Sequence, residues 1–185
     1  MKNGYEIYNM DTASDAAKPV LEEVQSHYQF IPNALGAMVE SPEAVKSYLK
    51  LDELVSQNSL TDEQRHVVFL TISREYQCSY CVAAHTAFAQ MGQVEGDIIK
   101  RLREGNLLDD PKLEALQQFV SKMVQTHCQL SERDVADFLA HGYSRRNILE
   151  IITMVANKLI AVFANRIMGT DLDEALQPAI WSRVA

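Results

Sequence analysis

The chain has 185 residues, of which 47% are hydrophobic and 23% charged, and its net charge at neutral pH is −8. This length suits one domain with a continuous core, and the composition is that of a soluble globular protein. An acidic surface repels phosphate groups, so nucleic acid and anionic membranes are poor partners for it. The first residues, Met1 to Glu6, contain no apolar segment of the kind that directs secretion. We therefore expect a single cytoplasmic domain over residues 1–185.

Helical periodicity dominates the first half of the chain, and no segment there shows the sustained alternation of a strand. Apolar residues on one face predict a first helix over residues 13–28. The stretch Phe30–Asn33 interrupts it, because the residue before a proline is pushed out of the helical region. Ser41 followed by Pro42 predicts the start of a helix that runs to about residue 57. Thr61, with two acidic residues after it, predicts the start of the next helix. Because that helix is apolar nearly all round, it should lie at the centre of the core.

The second half of the chain is also predicted to be helical, after a break near Tyr76. The stop and start signals are the glycines and the capping serines that separate apolar segments. Five further helices are predicted: about 78–91, a short one to 103, 111–127, one capped by Ser131, and one from Ser144 to about 167. The predicted fold class is therefore an all-α helical bundle.

The most apolar stretch of the sequence runs over residues 148–163. Glu150, Asn157 and Lys158 interrupt it. A helix with these polar positions fits a buried or subunit-contacting element better than a membrane span. The stretch is also more apolar than one small domain needs, so we expect a homo-oligomer.

Cys78, Cys81 and His85 follow the three- and four-residue spacing of one helix face. Two cysteines at this spacing can reach the Cα separation that a disulfide requires. Cys78 is also expected at the helix start, where free N–H groups and the helix dipole stabilise a thiolate in the first turn. His85, one turn further on, can take the proton of Cys81. The pattern therefore predicts a nucleophile beside a base.

Other chemistries compete for these residues. A c-type haem requires a histidine directly after the second cysteine, where this chain has Val82. A structural zinc site requires a fourth ligand, for which His127 and Cys128 are the obvious distant candidates. A thioredoxin-like pair requires a βαβ context that the predicted helices do not provide. A redox-active dithiol, a metal-binding module and a buried packing cluster remain open on the motif alone.

Residues 71–86, which read TISREYQCSYCVAAHT, resemble the signature of the alkylhydroperoxidase D / carboxymuconolactone decarboxylase superfamily. The peroxidase-related branch of that superfamily is the most similar. Further similarity lies outside the signature, in Ile31–Asn33, Glu40–Pro42, Gly142–Tyr143, Asn165 and Thr170–Asp173. The resemblance therefore extends over most of the chain.

The resemblance implies an all-helical fold that assembles into trimers or hexamers, and a dithiol peroxidase without cofactor or metal. In the family the second cysteine attacks the hydroperoxide substrate, which matches Cys81 here, with His85 as its base. The first cysteine, Cys78, then converts the sulfenic acid into a disulfide. A thiol or dithiol reductant protein would attack Cys78, the sulfur expected to be more exposed, to close the cycle.

Two positions depart from the family pattern. A relay glutamate is replaced by His66, and a histidine before the second cysteine is replaced by Tyr80. Tyr80 could donate a hydrogen bond to a peroxide oxygen or act as a packing aromatic. Glu63 and Glu75 are the candidates for the missing carboxylate, and each also has an ordinary structural explanation as a capping or surface acid. A redox-sensing protein with little turnover is the alternative function.

Overall fold

The computed structural model describes residues 1–182, and all regular secondary structure within that range is helical. The prediction of an all-α fold is confirmed. The first five helices are α1 (Lys18–Tyr28), α2 (Asn33–Met38), α3 (Pro42–Ser56), α4 (Asp62–Glu75) and α5 (Ser79–Met91). The remaining helices are α6 (Gly96–Glu104), α7 (Pro111–Gln125), α8 (Glu132–Ala140), α9 (Arg145–Met168) and a short 3₁₀ helix (Glu174–Ala179).

The helix starts lie where the capping residues predict them. The side chains of Thr61, Ser131 and Ser144 each accept a hydrogen bond from the backbone N–H three residues later. In all three cases the third residue returns a hydrogen bond to the cap, which completes a capping box. Gly105 and Gly169 end α6 and α9 in the left-handed conformation that favours glycine.

Three elements differ from the sequence prediction. The first helix begins at Lys18 rather than near residue 13, with Pro19 in its first turn, because proline favours the start of a helix. The sequence predicts an interruption over Phe30–Asn33 and no further helix before Ser41, but Asn33–Met38 form α2, whose last four residues are buried. The 3₁₀ helix after Asp173 was not predicted, and it packs against α5.

Helix α4 lies at the centre of the larger core, as its apolar sequence predicts. Every residue from Val67 to Ser73 is buried. The helix packs against α5, α6, α7 and α9, and burial on all sides stabilises it mainly through the hydrophobic effect. A second hydrophobic cluster joins α1, α2 and α3 to the end of α9. Helix α9 therefore contributes to both clusters and holds them together.

Helix α9 is the one element within residues 1–182 that is long and apolar enough to cross a membrane by length and composition. About a third of its most apolar window is buried, and Ile151, Met154 and Val162 belong to the hydrophobic core. Its opposite face leaves Leu149 and Phe163 half or more exposed. The helix is therefore partly a core element and partly an uncovered apolar surface.

Candidate active site

The connection between α4 and α5 places the two motif cysteines at the start of a helix. Helix α4 ends at Glu75, and Gln77 takes a positive φ of 52°, which turns the chain. The backbone N–H of Cys78 still donates to Ser73 O at 3.0 Å, so the turn stays attached to α4. Cys78 is then the N-cap of α5, in the position expected from the sequence.

Cys78 and Cys81 are joined by a disulfide, with their Cα atoms 5.2 Å apart. The backbone N–H of Cys81 donates to Cys78 Sγ at 3.3 Å, so the sulfur also caps the helix. The two residues are only 3% and 2% exposed. The disulfide form therefore shows no appreciable difference in exposure between the two cysteines, since both lie in one cluster with residues of the 3₁₀ helix and α9.

An apolar cavity lies against one of the two sulfur-bearing residues. Cys81 and His85 line it, whereas Cys78 does not. Its other walls come from α1, α2, α3, α9 and the 3₁₀ helix, and five of the lining residues are aromatic: Tyr28, Phe30, Tyr48, Tyr80 and Phe88. A concave apolar site with a few polar groups is the usual form of a small-molecule site. Cys81 is therefore the cysteine that a molecule in this cavity would meet.

His85 is held by contacts on three sides. Its ring stacks on Phe69 with the centroids 4.7 Å apart, and it meets the edge of Phe88 at 5.9 Å. Its Nε2 atom lies 2.7 Å from Nζ of Lys158, which reaches it from α9. Lys158 is only 2% exposed, and no carboxylate within residues 1–182 lies within ion-pair distance of it. The site thus contains a buried imidazole–amine pair.

The electrostatics of this pair oppose a positive charge on both partners. Burial, then the Lys158 cation and His66, lower the pKa of His85 well below its usual value. Burial also lowers the pKa of Lys158 to about 7, and the Asp52 carboxylate opposes that shift. Two cations in contact in a low-dielectric site are unfavourable, so the pair carries at most one extra proton near neutral pH.

A second polar side chain of α9 approaches Cys81 itself. Nδ2 of Asn165 donates toward Cys81 Sγ at 3.6 Å, and Asn165 also lines the cavity. Its Oδ1 atom is buried and has no hydrogen-bond partner within residues 1–182. An amide N–H at this position stabilises negative charge on the sulfur.

Tyr80 is held by a structural hydrogen bond rather than left free. Its hydroxyl donates to Oδ2 of Asp173 at 2.5 Å and accepts from the backbone N–H of Ala34 at 3.3 Å. The other oxygen of Asp173 accepts from the backbone N–H of Asn33 at 2.9 Å. Burial and Asp173 both raise the pKa of Tyr80, so its hydroxyl stays protonated. Tyr80 therefore ties α5 to α2 and to the start of the 3₁₀ helix.

The candidate carboxylates lie away from the cavity. Glu75 bonds to Arg74, Ser121 and Gln125 on the α7 side of α4. Glu63 is half-buried in the first turn of α4, and neither carboxylate lines the cavity. In the described part of the chain no group of three or more histidine, cysteine, aspartate or glutamate side chains could hold a metal.

His66 lies closer to the site, although it does not line the cavity. Burial lowers the pKa of His66, and the charge of His66 in turn lowers the pKa of His85. Its ring packs against the backbone at Gly92, where a Cβ atom would come within 2.8 Å of Nε2. Its Nδ1 atom is buried and has no partner in residues 1–182. The position where the resemblance implies a relay glutamate is thus occupied by a histidine whose charge acts on His85.

Sequence reasoning missed Lys158 and Asp173 as members of the site. In the sequence, Lys158 interrupts the most apolar stretch, and that position by itself argues only against a membrane span. A lysine within an apolar helix is a signal for a buried polar site, because burying an ammonium is unfavourable without a partner. Asp173 and Asn165 are positions of similarity to the family in the sequence, but the sequence assigns neither of them a role.

Structural comparison identifies the fold. No protein-family model and no curated protein matches the sequence. A peroxidase-related protein with an alkylhydroperoxidase AhpD core from Ralstonia eutropha JMP134 matches with a TM-score of 0.81 and 18% identity, over 93% of each chain. A peroxidase-related protein from Silicibacter sp. TM1040 matches with a TM-score of 0.73 and 18% identity, over 92% of this chain and 90% of that one.

A third similar structure is the debrominase Bmp8, as a cysteine-to-alanine variant in complex with 2,3,4-tribromopyrrole. It matches with a TM-score of 0.81 and 16% identity, over 97% of this chain and 96% of that one. Together these similarities confirm the alkylhydroperoxidase D-like fold that the motif resemblance implies.

The hydrogen bonds of Tyr80 lead to a prediction about its hydroxyl. Tyr80→Phe leaves one buried oxygen of Asp173 without a donor, so we expect the free energy of unfolding to fall by about 1–3 kcal/mol. Because the hydroxyl is already engaged, the rate at which reduced Cys81 reacts with iodoacetamide should change little. Chemical denaturation and alkylation kinetics measure the two quantities. Tyr5→Phe, in a different hydrophobic cluster, is the control. A large loss of Cys81 reactivity at unchanged stability would contradict this assignment.

Proposed function

We propose that the protein is a dithiol peroxidase that reduces organic hydroperoxides at Cys81. The observation that carries this proposal is that Cys81 and His85 line an apolar cavity while the disulfide partner of Cys81 lies outside it. A nucleophilic sulfur, a base and a shaped apolar site are thus combined in one place. The fold shared with peroxidase-related proteins supports the same assignment.

The reaction uses the two cysteines in turn. The Cys81 thiolate attacks the terminal oxygen of the peroxide, the O–O bond breaks, and the alkoxide leaves and takes a proton to become an alcohol. Cys81 is then a sulfenic acid, having given up two electrons. The Cys78 thiol attacks its sulfur, the oxygen leaves as water, and the disulfide forms. A dithiol reductant supplies two electrons and two protons to restore both thiols.

The cavity favours substrates that carry an apolar body. Its lining is mainly aromatic and aliphatic, with Lys158, His85 and Asn165 grouped near the sulfur. Phe30, which is 38% exposed, lies at the side of the cavity that faces solvent. Burying an aromatic or alkyl group there gains about 25 cal/mol for each Å² of apolar surface removed from water. Aromatic or alkyl hydroperoxides should therefore react faster than hydrogen peroxide.

Reduction of the disulfide requires that the site opens. Both cysteines are nearly fully buried, and the 3₁₀ helix and α9 cover them. A reductant protein can therefore reach Cys78 only after part of this cover moves. The cycle also needs a compartment that keeps thiols reduced, such as the cytoplasm.

Steady-state turnover tests the proposal. With dithiothreitol as reductant, the wild type should consume cumene hydroperoxide, and Cys81→Ser should consume none. Cys78→Ser should be slower than the wild type, because it cannot form the disulfide and dithiothreitol must reduce the Cys81 sulfenic acid directly. His85→Gln should be slower by about 10²-fold or more, which is the range for loss of a general base.

Cys128 provides a matched control, because it is the exposed free cysteine of the described chain. Cys128→Ser should retain the wild-type rate. Equal rates for Cys81→Ser and wild type would rule out the peroxidase. Fast oxidation with slow turnover by every reductant would instead favour a redox sensor.

A second candidate function is the reductive removal of halogen from a small aromatic ring. The observation that favours it is the aromatic lining of the cavity beside Cys81, together with the fold shared with a debrominase. In such a reaction the Cys81 thiolate attacks the halogen, the carbon–halogen bond breaks, and the carbon takes a proton. Cys78 then displaces halide from the sulfur and forms the same disulfide. Release of bromide from a bromopyrrole, without consumption of hydroperoxide, would support dehalogenation and contradict the peroxidase.

We also propose that the protein forms a homo-oligomer. Exposed or half-buried apolar side chains run along one face of α9 at three- and four-residue spacing: Leu149, Ile152, Ala156, Leu159 and Phe163. This spacing is the seam by which two helices pack together. A seam of this length on the surface favours a homo-oligomer, and the family resemblance implies a trimer or hexamer.

A charge within the seam should weaken the assembly. Leu149→Glu and Phe163→Glu should each lower the mass measured by multi-angle light scattering at micromolar concentration, because a carboxylate would be buried at the contact. Both side chains are at least half exposed, so the monomer should still fold. Leu107→Glu, at an exposed position outside α9, is the control. A monomeric wild type would contradict the proposed assembly.

A further inference from the structure

Lys158 is the most unusual side chain of the site, because a primary amine is buried without a carboxylate partner. Its Nζ atom lies 2.7 Å from His85 Nε2, and this is its one hydrogen bond within residues 1–182. It is 2% exposed, and its residue lines the same cavity as Cys81. Burying an ammonium without a carboxylate is unfavourable, so the fold keeps this lysine at a cost to stability.

The groups around Lys158 leave His85 as its direct partner. Asp52 on α3 attracts its charge, but no ion pair forms between them, and Asp52 instead lies 3.6 Å from His27. The ring of Phe69 on α4 lies 5.9 Å from Nζ. His66, also on α4, acts on His85. The remaining titratable groups of the cavity wall, apart from Cys81, are Tyr28, Tyr48 and Tyr80, and burial raises the pKa of all three, so they stay neutral.

We infer that Lys158 is a positioning residue for the thiol chemistry: it shares one proton with His85, and that proton balances the negative charge of the Cys81 thiolate. This inference rests on the proposed role of Cys81 as nucleophile. His85 follows Cys81 by one helical turn and lines the same cavity. The His85–Lys158 pair therefore acts where a histidine–carboxylate pair would otherwise act, and the amine of Lys158 replaces the carboxylate as the second base.

Each proton of the cycle can be followed. In the reduced protein the Cys81 thiol gives its proton to the His85–Lys158 pair and becomes a thiolate. After the thiolate attacks a peroxide, the pair returns that proton to the leaving alkoxide, which becomes an alcohol. Formation of the disulfide then leaves the pair without a negative partner. In this disulfide state burial lowers the pKa of Lys158 to about 7, so the pair loses its extra proton above that pH.

This accounting predicts how many protons accompany reduction of the disulfide. Below about pH 7 the pair is already protonated, and reduction takes up one proton, on Cys78. Above about pH 7 the pair is neutral, and reduction takes up two protons, one on Cys78 and one on the pair. The pH dependence of the reduction potential should therefore steepen near pH 7.

Substitutions of Lys158 separate a charge role from a packing role. Lys158→Met keeps the length of the side chain and removes the charge, and Lys158→Arg keeps a permanent charge. In the reduced wild type, alkylation of Cys81 should have its pH midpoint below the value of about 8.5 of a free thiol. Lys158→Met should shift the midpoint upward by at least about one unit, which lowers the rate at neutral pH about tenfold. Lys158→Arg should keep the low midpoint.

The proton count provides the second measurement. Equilibration with a dithiothreitol redox buffer over a pH series should show a change from one to two protons in the wild type. Lys158→Arg should take up one proton throughout, and Lys158→Met two. Lys100→Met, which removes an exposed lysine on α6, should behave as the wild type.

These measurements use no hydroperoxide, so they separate the two proposals. If Lys158→Met had the same alkylation midpoint and the same proton count as the wild type, the role of Lys158 would be overturned, even if peroxidase turnover were confirmed. A shifted midpoint in a protein that consumes no hydroperoxide would support the role of Lys158 and reject the peroxidase. Should Lys158→Met not fold, Lys158→Arg decides the question, because a proton count that still changes near pH 7 would overturn the inference.

Discussion

The contact between α5 and α9 is the constraint on which the rest of the site depends. It includes two polar contacts, Cys81 with Asn165 at 3.6 Å and His85 with Lys158 at 2.7 Å. Moving along α5 from Cys81 to His85 means moving back along α9, so the two helices run in opposite senses past each other. The remaining cavity walls, from α1, α2, α3 and the 3₁₀ helix, close around this pair of contacts.

The contact has an electrostatic consequence that distinguishes this site from a histidine–carboxylate arrangement. A carboxylate beside a histidine favours the imidazolium, whereas an amine beside it favours the neutral ring. Here burial and Lys158 both lower the pKa of His85, so His85 alone is a weak base. In the proposed mechanism the amine supplies the basicity that the imidazole loses, and a thiolate on Cys81 supplies the negative charge that the buried amine lacks.

The residues that local signals determine could be predicted from the sequence, and those that depend on distant packing could not. The capping serines, Thr61 and Gly169 act within one helical turn, and the structure confirms the helix ends they predict. The Cys78–Cys81 pair and His85 share one helix, so their common face follows from spacing alone.

Lys158 lies 73 residues from His85 along the chain, so no local pattern could place the two together. The same holds for Tyr80 and Asp173, which lie 93 residues apart. The sequence does not predict the short helix α2, because Pro32 indicates an interruption of helical structure, although proline also precedes helix starts.

Trapping the first oxidised sulfur tests most directly whether Cys81 is the nucleophile of the cavity. Reduced Cys78→Ser is treated with one equivalent of cumene hydroperoxide, and intact mass and peptide mapping locate the product. The account predicts a gain of about 16 Da on Cys81, as a sulfenic acid that its missing partner cannot resolve. The same gain on Cys128, with Cys81 unmodified, would contradict it.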